Sequence, residues 1–349
     1  MAPHGVPLVS PMTIVRRMIH PIPPGTRDVL PDEMRELRRL TRRLVDTFEA
    51  ADYGEVATPA IEYDEVLARG DRASSASPYR FFDENGDLLA LRSDMTVPIA
   101  RLVATRFADA PMPLRLCYLA PAYRAVLPQR GEMREFVQAG IELIGAPGAD
   151  GNAEVIGVLE AALDAAGLDR AVIGLGDADL YRGLLAEFGV EGEARDAVLD
   201  RLATHDLVGL EAGLAAAGIG EAAIDTCVAL SQLRGGAEVL DQALGVGGEA
   251  VERTITRLKE TYESLVERGT ADRVQVDLGL LRNLGYYDGA VFEVYDPALG
   301  HVLGGGGRYD GSLANFGVDL PAAGFSLYLE RVHVAQMEEE SRRRERAAS

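Results

Sequence analysis

The chain has 349 residues, with 35 lysines and arginines against 55 aspartates and glutamates, a formal net charge of −20, and 47% hydrophobic residues. This balance describes a soluble globular chain and excludes fibrous and disordered classes, while no apolar run approaches the roughly 18 residues a membrane span needs. The acidic charge argues against unaided binding to phosphate backbones, and Cys117 and Cys227 are too few and too far apart for a disulfide framework, which points to a reducing cytoplasm and to cysteines serving as small buried apolar residues.

Residues 1–18 read as a loose leader. After Pro31, the acidic Asp32 and Glu33 followed by Met34, Leu37, Leu40, Leu44, Val45 and Phe48 at helical spacing predict an amphipathic helix. The run ending in Val56-Ala57-Thr58-Pro59 reads as a strand, and Leu88–Leu91 as another after an Asn85-Gly86 hairpin turn. Leu114–Tyr123 and Glu135–Ile144 read as two strands joined by a long tip. Period-two alternation in the second puts Val137, Ala139, Ile141 and Leu143 on one face and Gln138, Gly140 and Glu142 on the other, for which a solvent-exposed sheet face is the simplest account.

An Ala-rich helix over 153–167 and a strand over Val172–Gly176 come next, with Gly174-Leu175-Gly176 as a strand-to-helix turn. A helical insertion fills about 178–268, including Ala194–Leu202 and Glu249–Leu265. Strand character returns at Val274–Leu280, Tyr286–Tyr295 and Val302-Leu303. The Gly304–Gly307 run reads as a bend or a close backbone approach to a ligand; it lacks the GK[ST] ending of a P-loop. Gly324–Arg331, a helix and the charged tail of 333–349 complete the chain. Strands, helices, then strands again predict an α+β fold, largely antiparallel, with a helical insertion.

Metal binding and nucleophilic catalysis have no signature: the five histidines show no HxxxH spacing, CxxC and GxSxG are absent, and Lys259 is the only lysine. What stands out is a polar set on or near strands: Asp94, Thr96, Arg124, Gln138, Glu142, Asp277, Arg282, Tyr286 and Tyr287. Carboxylates capture an ammonium group, arginine captures a carboxylate bidentately, and tyrosine or glutamine hydrogen-bonds a polar side chain, so these residues gathered on one face would suit an amino acid.

The ordered segments Pro24–Asp28, Leu91–Thr96, Tyr123-Arg124 with Pro128-Gln129 and Arg134–Gln138, Leu281–Tyr287, Gly304–Asp310, and Gly324-Phe325 with Glu330-Arg331 resemble the catalytic core of histidyl-tRNA synthetase over about residues 19–332. The resemblance implies a class II synthetase fold, with the early helix and Pro59 in the motif that builds a homodimer interface. Against that pattern, Val126 and Leu127 stand where a Glu and an Arg would hold ATP, the segment Asn283–Tyr287 lacks a carboxylate, and Tyr328 stands where a glycine would leave room for adenosine. Arg331, which contacts ATP phosphates in the family, is retained. The 18 residues after Arg331 are fewer than the about 50 of an anticodon-binding domain.

A core that keeps amino-acid contacts and loses ATP contacts is similar to the regulatory subunits of ATP phosphoribosyltransferase. That resemblance implies no catalysis and no cofactor of its own, a short-form catalytic subunit as partner in a cytoplasmic hetero-oligomer, and histidine as effector, without tRNA. It places Asp94 and Thr96 near the α-ammonium, Arg282 on the carboxylate, Glu142 with Tyr286 or Tyr287 at the imidazole, and Gln138 and Arg124 completing the pocket. A stand-alone histidine-activating, adenylate-forming paralogue is the alternative.

Overall fold

The computed structural model describes residues 22–70, 78–125, 133–281 and 286–348. Its first helix, α1 (Pro31–Ala50), begins with proline and two acidic residues in its first turn and buries Leu37, Leu40, Leu44 and Phe48 along one stripe. The run ending at Pro59 does not form the expected strand. Instead β1 is Gly54–Glu55 and β2 is Ile61–Tyr63. The connection between them is pinned by the buried Arg92, which donates from Nη1 to the carbonyls of Thr58 (2.7 Å) and Pro59 (3.2 Å) and from Nε to Pro121 (2.8 Å). A guanidinium out of water needs such acceptors, and it obtains them from backbone that no ladder uses.

Helix α2 (Asp64–Gly70) leads to the expected hairpin, β3 (Arg80–Phe82) and β4 (Leu88–Leu91), turning at Gly86 with φ +89°. Helix α3 (Thr96–Arg106) precedes two ten-residue strands, β5 (Leu114–Tyr123) and β6 (Glu135–Ile144), paired antiparallel from Leu114↔Ile144 to Tyr123↔Glu135. Then come α4 (Gly148–Ala166) and β7 (Val172–Asp177), so Gly174-Leu175-Gly176 lies inside a strand and is not a turn.

The insertion consists of α5 (Asp179–Glu187), α6 (Gly192–Ala203), α7 (Leu207–Ala216), α8 (Glu221–Gln232), the two-residue β8 (Arg234–Gly235), α9 (Glu238–Ala243) and α10 (Glu249–Arg268). After it follow β9 (Val274–Asp277), β10 (Ala290–Tyr295), β11 (Gly304–Arg308), α11 (Asp310–Ala314), β12 (Ala322–Tyr328) and α12 (Leu329–Ala348). Strand β10 begins at Ala290, later than expected, and Val302-Leu303 leads directly into β11, with Leu303 donating to the Val294 carbonyl (2.8 Å) and accepting from the Tyr328 N–H (2.8 Å).

The glycine run is not a bend. It forms β11, fully buried and without positive φ, because neighbouring strands leave no room for side chains: a Cβ at Gly306 would overlap the Gly324 carbonyl and lie 2.7 Å from the Phe292 ring.

Nine strands make one sheet in the order β1-β5-β6-β12-β11-β10-β7-β9-β8, antiparallel except at β1/β5 and β7/β9; β2-β4-β3 form a second, small antiparallel sheet. One face of the large sheet carries the main core, with α1, α4 and the insertion helices packed on it. The other face carries a smaller core from α3, α11 and buried tyrosines. Cys117 and Cys227 are buried and unbridged, as expected. Among the described residues, no helix is long and apolar enough to cross a membrane.

Candidate functional site

Strands β5, β6 and β12 lie side by side near the middle of the sheet, so side chains of one parity share a face. On β6, Ala139, Ile141 and Leu143 enter the main core; Gln138, Gly140 and Glu142 turn the other way. That polar face is not solvent-exposed, contrary to expectation, since Gln138 is 2% and Glu142 1% exposed. The physical reason is a second layer that alternation along one strand does not reveal: α3, Tyr286, Tyr287 and Tyr309 cover it.

Between this layer and the sheet is a small, largely enclosed pocket with a cavity volume of about 10 Å³. Asp94, Thr96, Arg124, Gln138, Tyr286 and Tyr287 all line it, brought together from four separated segments, and they are joined by Tyr309, Ser326 and Tyr328. Glu142 lies one layer deeper, where Thr96 Oγ1 donates to one oxygen (2.9 Å) and the Tyr309 hydroxyl to the other. Arg282 lies outside the described residues, as do Val126 and Leu127. Asp277 is elsewhere: on β9 it pairs with Arg234 at 2.9 Å.

Close backbone approach sets the floor. A Cβ at Gly324 would overlap Glu142 Oε2 and lie 2.5 Å from the Ile141 carbonyl; one at Gly140 would overlap the Phe325 carbonyl and lie 2.6 Å from the Tyr118 hydroxyl. Glycine at 324 is what lets the Glu142 carboxylate pass over β12 to Tyr309, which follows β11, and glycine at 140 leaves room for the Tyr118 hydroxyl to donate to the Phe325 carbonyl (3.3 Å).

Electrostatically the pocket is divided. Burial pushes the Glu142 carboxyl up to about 8, against the hydrogen bonds from Tyr309 and Thr96. Burial also raises Asp94, while the Arg124 charge and the Val97 N–H (3.3 Å) oppose the shift. Arg124 donates from Nε to the Ser93 carbonyl (3.1 Å) and from Nη1 to the Tyr328 hydroxyl (3.2 Å), with its guanidinium 4.9 Å from the centre of the Phe136 ring. Gln138 Nε2 donates to Ser326 Oγ (3.2 Å), whereas its Oε1 is buried with no hydrogen-bond partner among the described residues. An unmatched buried acceptor beside an acid and a guanidinium suits a ligand that carries an N–H donor.

Sequence reasoning assigned no part to two pocket residues, Ser326 and Tyr309. The signal for Tyr309 was present: it follows the glycine run, and reading that run as a buried strand would have put Tyr309 at the same end as Glu142.

The histidyl-tRNA synthetase family model matches residues 25–332. The chain is 44% identical over 318 residues to the ATP phosphoribosyltransferase regulatory subunit of Symbiobacterium thermophilum, covering 90% of this chain and 79% of that one. With the same-named protein of Moorella thermoacetica it shares 40% identity over 319 residues, covering 91% and 82%. The chain belongs to the histidyl-tRNA synthetase family, among its ATP phosphoribosyltransferase regulatory subunits.

A crystal structure of an ATP phosphoribosyltransferase regulatory subunit/histidyl-tRNA synthetase from Bacillus halodurans has the same architecture, with a TM-score of 0.83 at 32% identity over 91% of this chain and 83% of that one. The α+β, class II synthetase-like fold that the motifs implied is thus the fold of this regulatory-subunit family member. Among the described residues, no group of three His, Cys, Asp or Glu side chains is placed to hold a metal ion.

Proposed function

We propose that this chain is the non-catalytic regulatory subunit of an ATP phosphoribosyltransferase, working with a short-form catalytic subunit in the first step of histidine biosynthesis, and that its buried pocket takes free histidine as a feedback effector. The observation that carries the reading is the co-location of Asp94, Arg124 and the unmatched Gln138 Oε1 on one buried face, in a chain so similar to proteins named as that subunit. An acid and a guanidinium suit the two charges of an amino-acid zwitterion, while three tyrosines and Glu142 supply a flat, polar environment for an imidazole. Arg282 is assigned to the carboxylate on the family resemblance.

Inhibition requires histidine to prefer one quaternary state, because a ligand with equal affinity for both shifts nothing. A homodimer inside the hetero-oligomer is part of the proposal. The apolar outer face of the small sheet, where Ile61, Tyr63 and Phe81 are exposed, supports it.

The test is reconstitution with a short-form catalytic subunit. Histidine should inhibit phosphoribosyl transfer by the complex, and Arg282→Ala should abolish inhibition while leaving histidine-free turnover intact. Failure to form a complex, or inhibition indifferent to Arg282→Ala, would refute the assignment. Histidine-dependent pyrophosphate exchange by the chain alone would replace it with the stand-alone histidine-activating synthetase.

A further inference from the structure

The pocket is closed: its cavity of about 10 Å³ has room for about one water and none for an amino acid. Its lining must move before a ligand enters, and the two sides differ in what they can yield. The sheet side is fixed by the close backbone approaches at Gly140 and Gly324. Facing it, Tyr286 and Tyr287 precede β10, outside its ladder, with their rings 4.7 Å apart. The chain just after them is pinned. The Asp288 N–H donates to the Arg308 carbonyl (3.0 Å), its carboxylate accepts from the N–H groups of Asp310 (2.8 Å) and Gly311 (2.5 Å), and the Gly289 carbonyl accepts from Ala178 (2.8 Å). One residue farther out, the Tyr287 carbonyl accepts from Arg182 Nη1 (2.8 Å), on a long side chain of α5 that is 38% exposed. A carbonyl on a buried residue outside the ladder needs such a donor.

We infer that Arg182 is a positioning residue that latches the pocket to the helical insertion: an amino acid enters by lifting Tyr286 and Tyr287 away from the sheet, and Arg182 resists the lift and passes it to α5. The proposal rests on the amino-acid reading of the pocket and adds the route by which occupancy leaves it. Asp288 and Gly289 serve as the pivot, since their bonds are backbone-anchored on both sides, whereas Arg182 is a flexible, half-solvated chain that can follow or let go. Helix α5 has room to respond, because an open groove of about 780 Å³ lined by Arg182, Gly183 and Asp179 separates its outer side from Arg253 and Arg257 of α10. Arg257 also bonds Asp177 (3.2 Å) and Asp179 (3.2 Å), which ties the start of α5 to α10. A contact made by the closed pocket costs the ligand affinity and, for the same reason, senses its arrival.

The test uses the full chain with L-histidine as the probe. Arg182→Met removes the donor and keeps the aliphatic stem, so calorimetry should show histidine affinity rising by about three- to tenfold, the worth of one ordinary hydrogen bond. Loss of a merely structural contact would lower it instead. Arg182→Lys keeps a donor and should return affinity towards wild type. Arg253→Met, in the same groove but paired with Glu249, should leave it unchanged. The chain has no tryptophan, so near-ultraviolet circular dichroism reports its tyrosines, and histidine should change that signal in wild type. Histidine should also speed amide exchange in α5 of wild type, although no residue of α5 lines the pocket, and should have no such effect in Arg182→Met. The wild-type exchange needs no variant, so the latch stays testable where a substitution unfolds the chain. A folded Arg182→Met protein that binds histidine no more tightly than wild type, or a wild-type α5 or tyrosine signal indifferent to bound histidine, overturns the latch and leaves the histidine pocket standing. Absence of histidine binding by wild type overturns the amino-acid reading itself and this proposal with it.

Discussion

The Tyr309 hydroxyl and the Glu142 carboxylate are hydrogen-bonded inside the protein although 167 positions separate them in the chain. That contact, with Thr96 on the other oxygen, holds an acid fully out of water beneath a pocket. Because burial raises the Glu142 carboxyl from its ordinary 4.5 to about 8, the folded protein binds a proton there that the unfolded chain releases. The sign follows from linkage. This group's contribution to stability is fully present below about 4.5 and is lost as pH rises through about 8. The steepest loss is about 1.4 kcal/mol per pH unit. Urea titrations at pH 5, 7 and 9 should show Glu142→Gln flattening this slope; an unchanged slope in the variant means the proton sits elsewhere.

Removing the donor tests the same pair from the other side. Tyr309→Phe leaves one Glu142 oxygen with no hydroxyl donor in a site that water does not reach. The cost should be about 1–3 kcal/mol, the penalty of an unsatisfied buried polar group. The urea midpoint should fall at unchanged slope, and histidine affinity, measured by calorimetry, should fall too. A variant as stable as wild type would mean that the carboxylate finds another partner.

Much of this pocket could be read from the sequence, because alternation on β6 already separated Gln138 and Glu142 from Ile141 and Leu143. The burial of that face could not, because it depends on α3 and the tyrosines after β9, which contribute from distant segments. The four glycines were misread for a related reason. In isolation Gly304–Gly307 says only that side chains are missing; that they are missing for want of space between β10 and β12 is a property of the packed sheet. Arg92 is a third case, a cation in a motif whose work is to hold the chain around Pro59.

Gly324 gives the most direct check on that packing. Alanine there would drive a methyl group into Glu142 and the Ile141 carbonyl, neither of which is a free-moving chain end, so Gly324→Ala should cost about 3 kcal/mol or more through overpacking. Gly300→Ala is the matched control. Its Cβ meets nothing within 4 Å and its φ is not positive, so the change should stay within about 0.5 kcal/mol. Equal melting temperatures for the two variants would show that β12 has slack which the geometry denies.

The small sheet supplies the test of the proposed homodimer. In β2-β4-β3, the pairings Ile61↔Leu91, Tyr63↔Leu89 and Phe81↔Leu89 put these apolar residues on one face. Glu62 and Ala90 turn inward, where Glu62 accepts from Arg101 and Ala90 packs with Leu67 and Val97. The outward face leaves Ile61 and Tyr63 about half exposed, a cluster that water disfavours and a second copy would cover. Tyr63→Asp places a charge at its centre, and a charge taken into an apolar interface without a partner is costly. The fold should survive, since Tyr63 contributes little to the core, while the sedimenting mass falls to that of a single 37.4 kDa chain. If wild type already sediments as a monomer at micromolar concentration, or if the Asp variant remains a dimer, the interface lies elsewhere.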